Sequence, residues 1–279
     1  VGFGALGSQN FTTATNSLNT AVGYLAGNDI TTGTINTIVG GQAADAMTTG
    51  TSNVALGFAA LGAEVAGHRN VAVGTYALFN QSNSGSTNAY NTAVGYGAGN
   101  DATTGVENTL IGGLAGDALT DADYNVAFGV AALGSDTKGS ISVALGNSAL
   151  LRQNFTTATN SYNVAVGNST GANITTGVQN TLIGSDVGDA LTDADFNTAM
   201  GYLALSSDTL GSKSTAIGYA ALQDQNFTTA TDSLNVAVGH LAGENVTTGF
   251  LNTLVGGEVG KALTQGSANI AIGTNALES

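Results

Sequence analysis

The residues able to do chemistry are few, and most of them repeat. Two histidines, His68 and His240, fall at different positions of an internal repeat. The chain contains no cysteine, so thiol catalysis and thiolate metal sites are excluded in this segment. Serine and threonine are plentiful, yet no Ser-His-Asp arrangement is suggested. Asp117, Asp121 and Asp123 recur as Asp189, Asp193 and Asp195, 72 residues later. Two carboxylates that cleave a glycosidic bond form a singular pair, whereas these are in register with the repeat and read as structural. The Thr-Asp-Ala-Asp turns offer the oxygen ligands that Ca2+ prefers, which makes Asp121, Asp123, Asp193 and Asp195 candidate ligands. A solvated acidic loop is the other reading of the same residues. Gly112-Gly113 reads as a corner, with no phosphate-binding pattern ahead of a helix. The expectation is a chain without catalysis and without a resident cofactor.

A second set of candidates lies in longer repeats. Gln9-Asn10-Phe11-Thr12-Thr13 returns as Gln153-Asn154-Phe155-Thr156-Thr157 and Gln225-Asn226-Phe227-Thr228-Thr229. These segments are expected to bulge outward. Phe11, Phe155 and Phe227 are then either a contact for a glycan or partner, or plugs between neighbouring chains. The copy at Gln81-Ser82-Asn83-Ser84-Gly85 lacks the phenylalanine. Asn-Phe-Thr matches a glycosylation sequon, as a Thr- and Asn-rich repeat will by chance.

These residues need elements to hold them, and the composition limits which. Charged residues make up 9% of the 279, and glycine contributes 41, against averages of roughly 25% and ~7%. The 42% hydrophobic content supports a core, which a disordered chain lacks. The net charge of −14 opposes binding to nucleic acid, which needs Lys and Arg on phosphates. It also opposes adsorption to anionic lipid. No apolar run approaches the ~20 residues of a membrane-spanning helix, so no membrane insertion is expected of this segment. With no proline, every backbone N–H is available to a hydrogen-bond ladder.

The organising feature is a pentad, Asn/Ser–x–Ala/Leu/Ile–apolar–Gly, that begins at residues 19, 36, 53, 70, 91, 108, 125, 142, 163, 180, 197, 214, 235, 252 and 269. Its spacing runs 17, 17, 17, 21 and repeats, giving a super-repeat of 72. Side chains alternate faces in a strand, so positions two and four share a side and position three points the other way. Asn suits a corner and can stack into a ladder. The invariant Gly implies positive φ or an approach too close for a Cβ. A second small column, Ala26, Ala43, Ala60, Ala77, Ala98 and Ala115, fits a second short strand. Together these predict an all-β fold: a parallel β-solenoid (β-roll) of 17-residue coils with a 21-residue coil every fourth turn. It is read as one continuous domain over 1–279, a fragment of a longer fibre. The small residues at position three, including Ala21, Ala93, Ala165 and Ala237, are expected to pack chain against chain.

The pentads Asn91-Thr-Ala-Val-Gly, Asn163-Val-Ala-Val-Gly and Ser142-Val-Ala-Leu-Gly resemble the head repeats of YadA-like trimeric autotransporter adhesins. The phrase Asn19-Thr-Ala-Val-Gly-Tyr-Leu-Ala-Gly is similar to the repeat arrays of phage and bacterial tail-fibre-type proteins. The resemblance covers nearly the whole chain and implies a parallel β-roll in a homotrimer, on a cell surface or virion tail. The coils here, 17 or 21 residues, are longer than the adhesin repeat. The function expected is a structural and adhesive fibre attaching to a host or surface, through a surface glycan or receptor. The alternative is a self-assembling extracellular filament or matrix protein without a dedicated receptor. Ice binding is a third reading, set against by adjacent threonines such as Thr31-Thr32 that face opposite sides.

Overall fold

A computed structural model describes residues 1–85 and 87–278. The fold is all-β, a parallel β-solenoid with no helix among the described residues. It divides into two compact units, the first formed by Val1–Ser140 with Thr156–Thr159, the second by Ile141–Phe155 with the chain from Asn160 onward. In the first unit each pentad forms a three-residue strand: Thr20–Val22, Thr37–Val39, Val54–Leu56, Val71–Val73, Thr92–Val94, Thr109–Ile111 and Val126–Phe128. Successive strands pair in parallel, residue on equivalent residue, as in Thr92↔Thr109 and Ala93↔Leu110. The second unit repeats this with Val143–Leu145, Val164–Val166, Thr181–Ile183, Thr198–Met200, Thr215–Ile217, Val236–Val238, Thr253–Val255 and Ile270–Ile272.

The strands are short because the pentad glycine ends each of them. At Gly95, φ is +141°, and a Cβ placed there would lie 2.4 Å from the carbonyl oxygen of Gly112 in the next coil. Both reasons for an invariant glycine therefore hold at once. Beyond it the chain runs through turns rather than the expected second strand. There left-handed residues alternate, as at Tyr76 (φ 59°) and Leu78 (φ 49°). The turns still bond coil to coil: Leu78 N–H donates to Ala98 O at 3.0 Å.

Position three of the pentad points into the coil, and this corrects the expected chain–chain contact. Ala93, Ala165 and Ala237 are fully buried and Ala21 is 8% exposed, all within their own chain. Almost none of their surface is left for a neighbour. The core balances its volume every super-repeat. Several coils carry Ala at position three and Leu at the buried left-handed turn position, as with Ala72 and Leu78, while Ala93 faces Gly99, whose space is taken by Leu78 and Leu110 of the neighbouring coils. Where that turn position is Gly116, position three is Leu110, whose methyls lie 2.8 Å from where a Gly116 Cβ would be. Leu182 opposite Gly188 repeats the exchange. The Ala26 column is buried as a wall of the same interior.

Asn at position one does stack. Asn108 N–H donates to Asn91 Oδ1 at 2.8 Å, and Asn125 N–H donates to Asn108 Oδ1 at 2.9 Å. Asn108 Nδ2 also donates to Ala122 O at 2.8 Å. The left-handed corner itself falls one residue earlier, at Ile35 (φ 61°), Arg69 (φ 63°) and Tyr90 (φ 51°). The asparagine is kept for its side-chain bonds, not for its backbone freedom.

Gly95→Ala is expected to destabilise the first unit by about 3 kcal/mol or more, since strain and overlap coincide there. Gly113→Ala, which would meet nothing within 4 Å, should stay near wild type. Urea unfolding of the two variants side by side checks this. In the same assay Asn108→Ala should cost about 2–4 kcal/mol, because it leaves the Asn125 N–H and the Ala122 carbonyl without buried partners.

Candidate binding surface

With position three inside, positions two and four face outward. The fourth-position column is apolar and faces outward, half-buried in most coils and exposed in some: Leu56 is 45% and Phe128 56% exposed in the first unit, and Met200 is 44% exposed in the second. Beside it runs the left-handed residue that precedes each Asn, exposed at Ile35, Tyr90 and Tyr124, and at Tyr162, Phe196 and Leu234 in the second unit. A backbone position that costs about 1–2 kcal/mol for an L-residue thus holds exposed apolar side chains.

The 21-residue coils turn inward. Gln81, Gln153 and Gln225 are fully buried, and each Oε1 accepts from the Asn ten residues on, as in Asn235 Nδ2 to Gln225 Oε1 at 2.8 Å. A buried carboxylate from the preceding coil holds the same segment. Glu64 Oε1 accepts from the N–H groups of Val65, Ala66, Gly67 and Asn83, the last at 3.2 Å, and Oε2 accepts from Asn83 Nδ2. Asp208 accepts from Gly211 N–H and Phe227 N–H, both at 3.0 Å, and from Gln225 Nε2. Phe155 and Phe227 are each only 6% exposed. The expected outward contact at these two is therefore corrected, because the enlarged coil fills its own extra cross-section with them. Phe11 is half-buried. The recurrence of Glu64, Asp136 and Asp208 at intervals of 72 was the available signal for these buried carboxylates.

The candidate Ca2+ ligands do not converge. Among the described residues no group of three or more His, Cys, Asp or Glu could hold a metal ion. Asp123 Oδ1 accepts from Val106 N–H and Asp195 Oδ1 from Val178 N–H, one coil back. Asp121 lies 3.8 Å from Lys138 Nζ, and Asp193 accepts from Thr176 Oγ1 at 2.6 Å. Of the histidines, His68 Nδ1 accepts from Thr51 N–H, and His240 stacks on Tyr219 at 5.2 Å.

Two hollows lie on the turn face of the first unit. Tyr76 stands among Phe58, Phe79 and Tyr96, edge-on to each, with ring centroids 5.6, 5.4 and 6.4 Å away. The hollows, of about 440 and 500 Å3, adjoin there and share Tyr76 and Phe79. Asp45 borders one and Asp117 the other. Burial pushes both carboxyls above the usual aspartate range, helped by repulsion from Asp29 and Asp101 respectively. In the second unit, burial likewise raises Asp189, with Asp186 adding repulsion, and raises Asp208 against its hydrogen bonds.

No family model matches the chain, and no curated protein matches it.

The four raised aspartates fix a pH dependence. Each binds its proton more tightly folded than unfolded, so the folded chain holds more protons. The stability this confers is complete below the ordinary value of 3.8 and is lost as pH rises through the raised folded values. The unfolding midpoint should therefore increase as pH is lowered from 7 towards 4, and Asp117→Asn should flatten that slope. Thermal melts across the range check both.

Proposed function

We propose that the chain is a structural and adhesive segment of a fibre, displayed outside a cell or on a virion, whose copies pack side by side and attach it to a host or surface. The observation that carries this is the outward strand face, where an apolar column is half-buried or exposed in coil after coil and never closed over by its own chain. Exposed apolar surface continuous along one face marks an interaction site in most proteins. In-register repetition lets many weak contacts act together, so that avidity replaces a single strong site. The net charge of −14 favours solubility of a long assembly. The likeness of the pentads to trimeric adhesin heads and tail-fibre arrays supports the same reading and favours three chains.

Because position three is used up inside each coil, the contact between copies falls to position four and its neighbours. Mass by light scattering, with negative-stain images of the same sample, should give a uniform trimer. Leu56→Lys combined with Phe128→Lys should yield folded monomers with an unchanged circular dichroism spectrum, since both side chains are exposed in the single chain, and with a lower unfolding midpoint because assembly no longer stabilises it. A wild-type monomer would remove the side-by-side packing. Open-ended polymers would replace this reading with a matrix filament that has no dedicated receptor.

A further inference from the structure

We infer that the aromatic groove at Phe58, Tyr76, Phe79 and Tyr96 is a binding site for an uncharged linear oligosaccharide. The inference rests on the adhesive reading above and names what this face would hold.

The first ground is departure from the repeat. A residue that only closes a coil recurs 72 positions on. Tyr76 is instead succeeded by Ser148 and Ala220, and Phe79 by Leu151 and Gln223. The fold is built at those later positions without an aromatic ring. The rings of Tyr76 and Phe79 are therefore additions that the solenoid does not require, set beside Phe58 and Tyr96 in a column that also carries rings at Tyr24, Tyr202 and His240.

The second ground is shape. Glycine makes room for the rings: a Cβ at Gly62 would lie 2.9 Å from the Phe79 ring, and one at Gly41 would touch Phe58 at 3.5 Å. Tyr96 is 61% and Phe58 45% exposed, so ring surface stays open beside each hollow. The two hollows share Tyr76 and Phe79, which makes consecutive subsites and suits a chain of linked units over a single small molecule. Coils rise about 4.8 Å each, on the scale of one sugar ring.

The third ground is the polar rim. Asn28, Gln42 and Asp45 border one hollow, and Asn80, Asn100 and Asp117 the other, with no Lys or Arg in either lining. Asn80 Nδ2 and Asn100 Nδ2 both donate to Asp101 Oδ1, at 3.0 and 2.8 Å. With their Nδ2 groups so engaged, the amide Oδ1 atoms of Asn80 and Asn100 are the acceptors these side chains can offer a ligand, alongside the carboxylates. A pyranose supplies the complement: C–H faces for the rings and hydroxyl donors for the acceptors. Sialylated or sulfated sugars and phosphates meet only negative charge there and are repelled.

Tyrosine fluorescence is a direct readout, because the chain has no tryptophan. Cellohexaose, chitohexaose and mannohexaose should be titrated against the intact protein, with a sialylated oligosaccharide and hexalysine as contrasts. At least one neutral hexasaccharide is expected to bind, and the sialylated one is not. Tyr76→Ala and Tyr96→Ala should each weaken binding about tenfold or more, with unfolding midpoints measured to exclude misfolding. Tyr219→Ala, in the second unit, should leave it unchanged. Binding of none of the neutral sugars, binding untouched by either groove variant, or binding of hexalysine alone each overturns the inference. Adhesion of the protein to a panel of whole cells separates the two readings. Adhesion kept without any sugar binding removes the groove and leaves the fibre reading. Sugar binding in the groove with no adhesion to any cell removes the adhesive role and leaves the groove.

Discussion

An asparagine, buried in all but the end coils, starts thirteen of the fifteen pentads, with Ser142 and Ser214 in the other two, and couples its coil to the next one. Its Oδ1 accepts the N–H of the next Asn, as Asn36 Oδ1 does from Asn53 at 2.9 Å, while its Nδ2 donates to a carbonyl 14 residues on, as Asn36 does to Gly50 at 2.9 Å. The side chain is fully buried at Asn36, Asn53 and Asn180, where an unmade bond is costly. Register between coils is therefore fixed by bonds that a one-residue slip would break all at once. The pentad glycine completes the constraint: with φ near +140° and the next coil's backbone against it, as at Gly95, no other residue fits. Everything outside the pentad varies around these two positions.

The interior follows from how little space such a coil encloses. Three-residue strands against a wall of turns leave little room, and large side chains of one coil fill space beside the small residues of the next, as Leu78 and Leu110 do beside Gly99. Ala72 with Leu78, or Leu110 with Gly116, are two ways of filling the same volume. A coil four residues longer encloses more, and the chain answers with Gln225, Phe227 and the carboxylate of Asp208. The buried acids are retained because N–H groups converge on them, as four do on Glu64 Oε1. Those bonds offset part of the desolvation, which at Asp208 still prevails and raises the carboxyl, and without them a buried carboxylate is not tolerated.

Function is written on what this scheme leaves free. Strand positions two and four, the left-handed residue before each Asn, and the first turn residues after each Gly all face solvent. The scaffold does not dictate their identity, so these columns can carry apolar packing surface in one place and the rings of Tyr76 and Phe79 in another.

The spacing of the pentads was enough, read alone, to determine the parallel solenoid, the 17- and 21-residue coils, the asparagine ladder and the need for glycine. Each is a local rule repeated many times, and repetition makes a local rule legible. Which way the strand faces point was decided only by the tertiary structure. Alternation along a strand separates Ala93 from Thr92 and Val94 but does not say which side is inside, and small side chains suit a tight core as well as a tight interface. The same ambiguity sent Phe155 and Phe227 outward in the sequence reading. Their burial depends on the extra cross-section of a long coil, a property of the closed turn and of no single residue. The groove around Tyr76 was equally invisible, because its rings come from coils 17 to 21 residues apart and meet only when the coils stack.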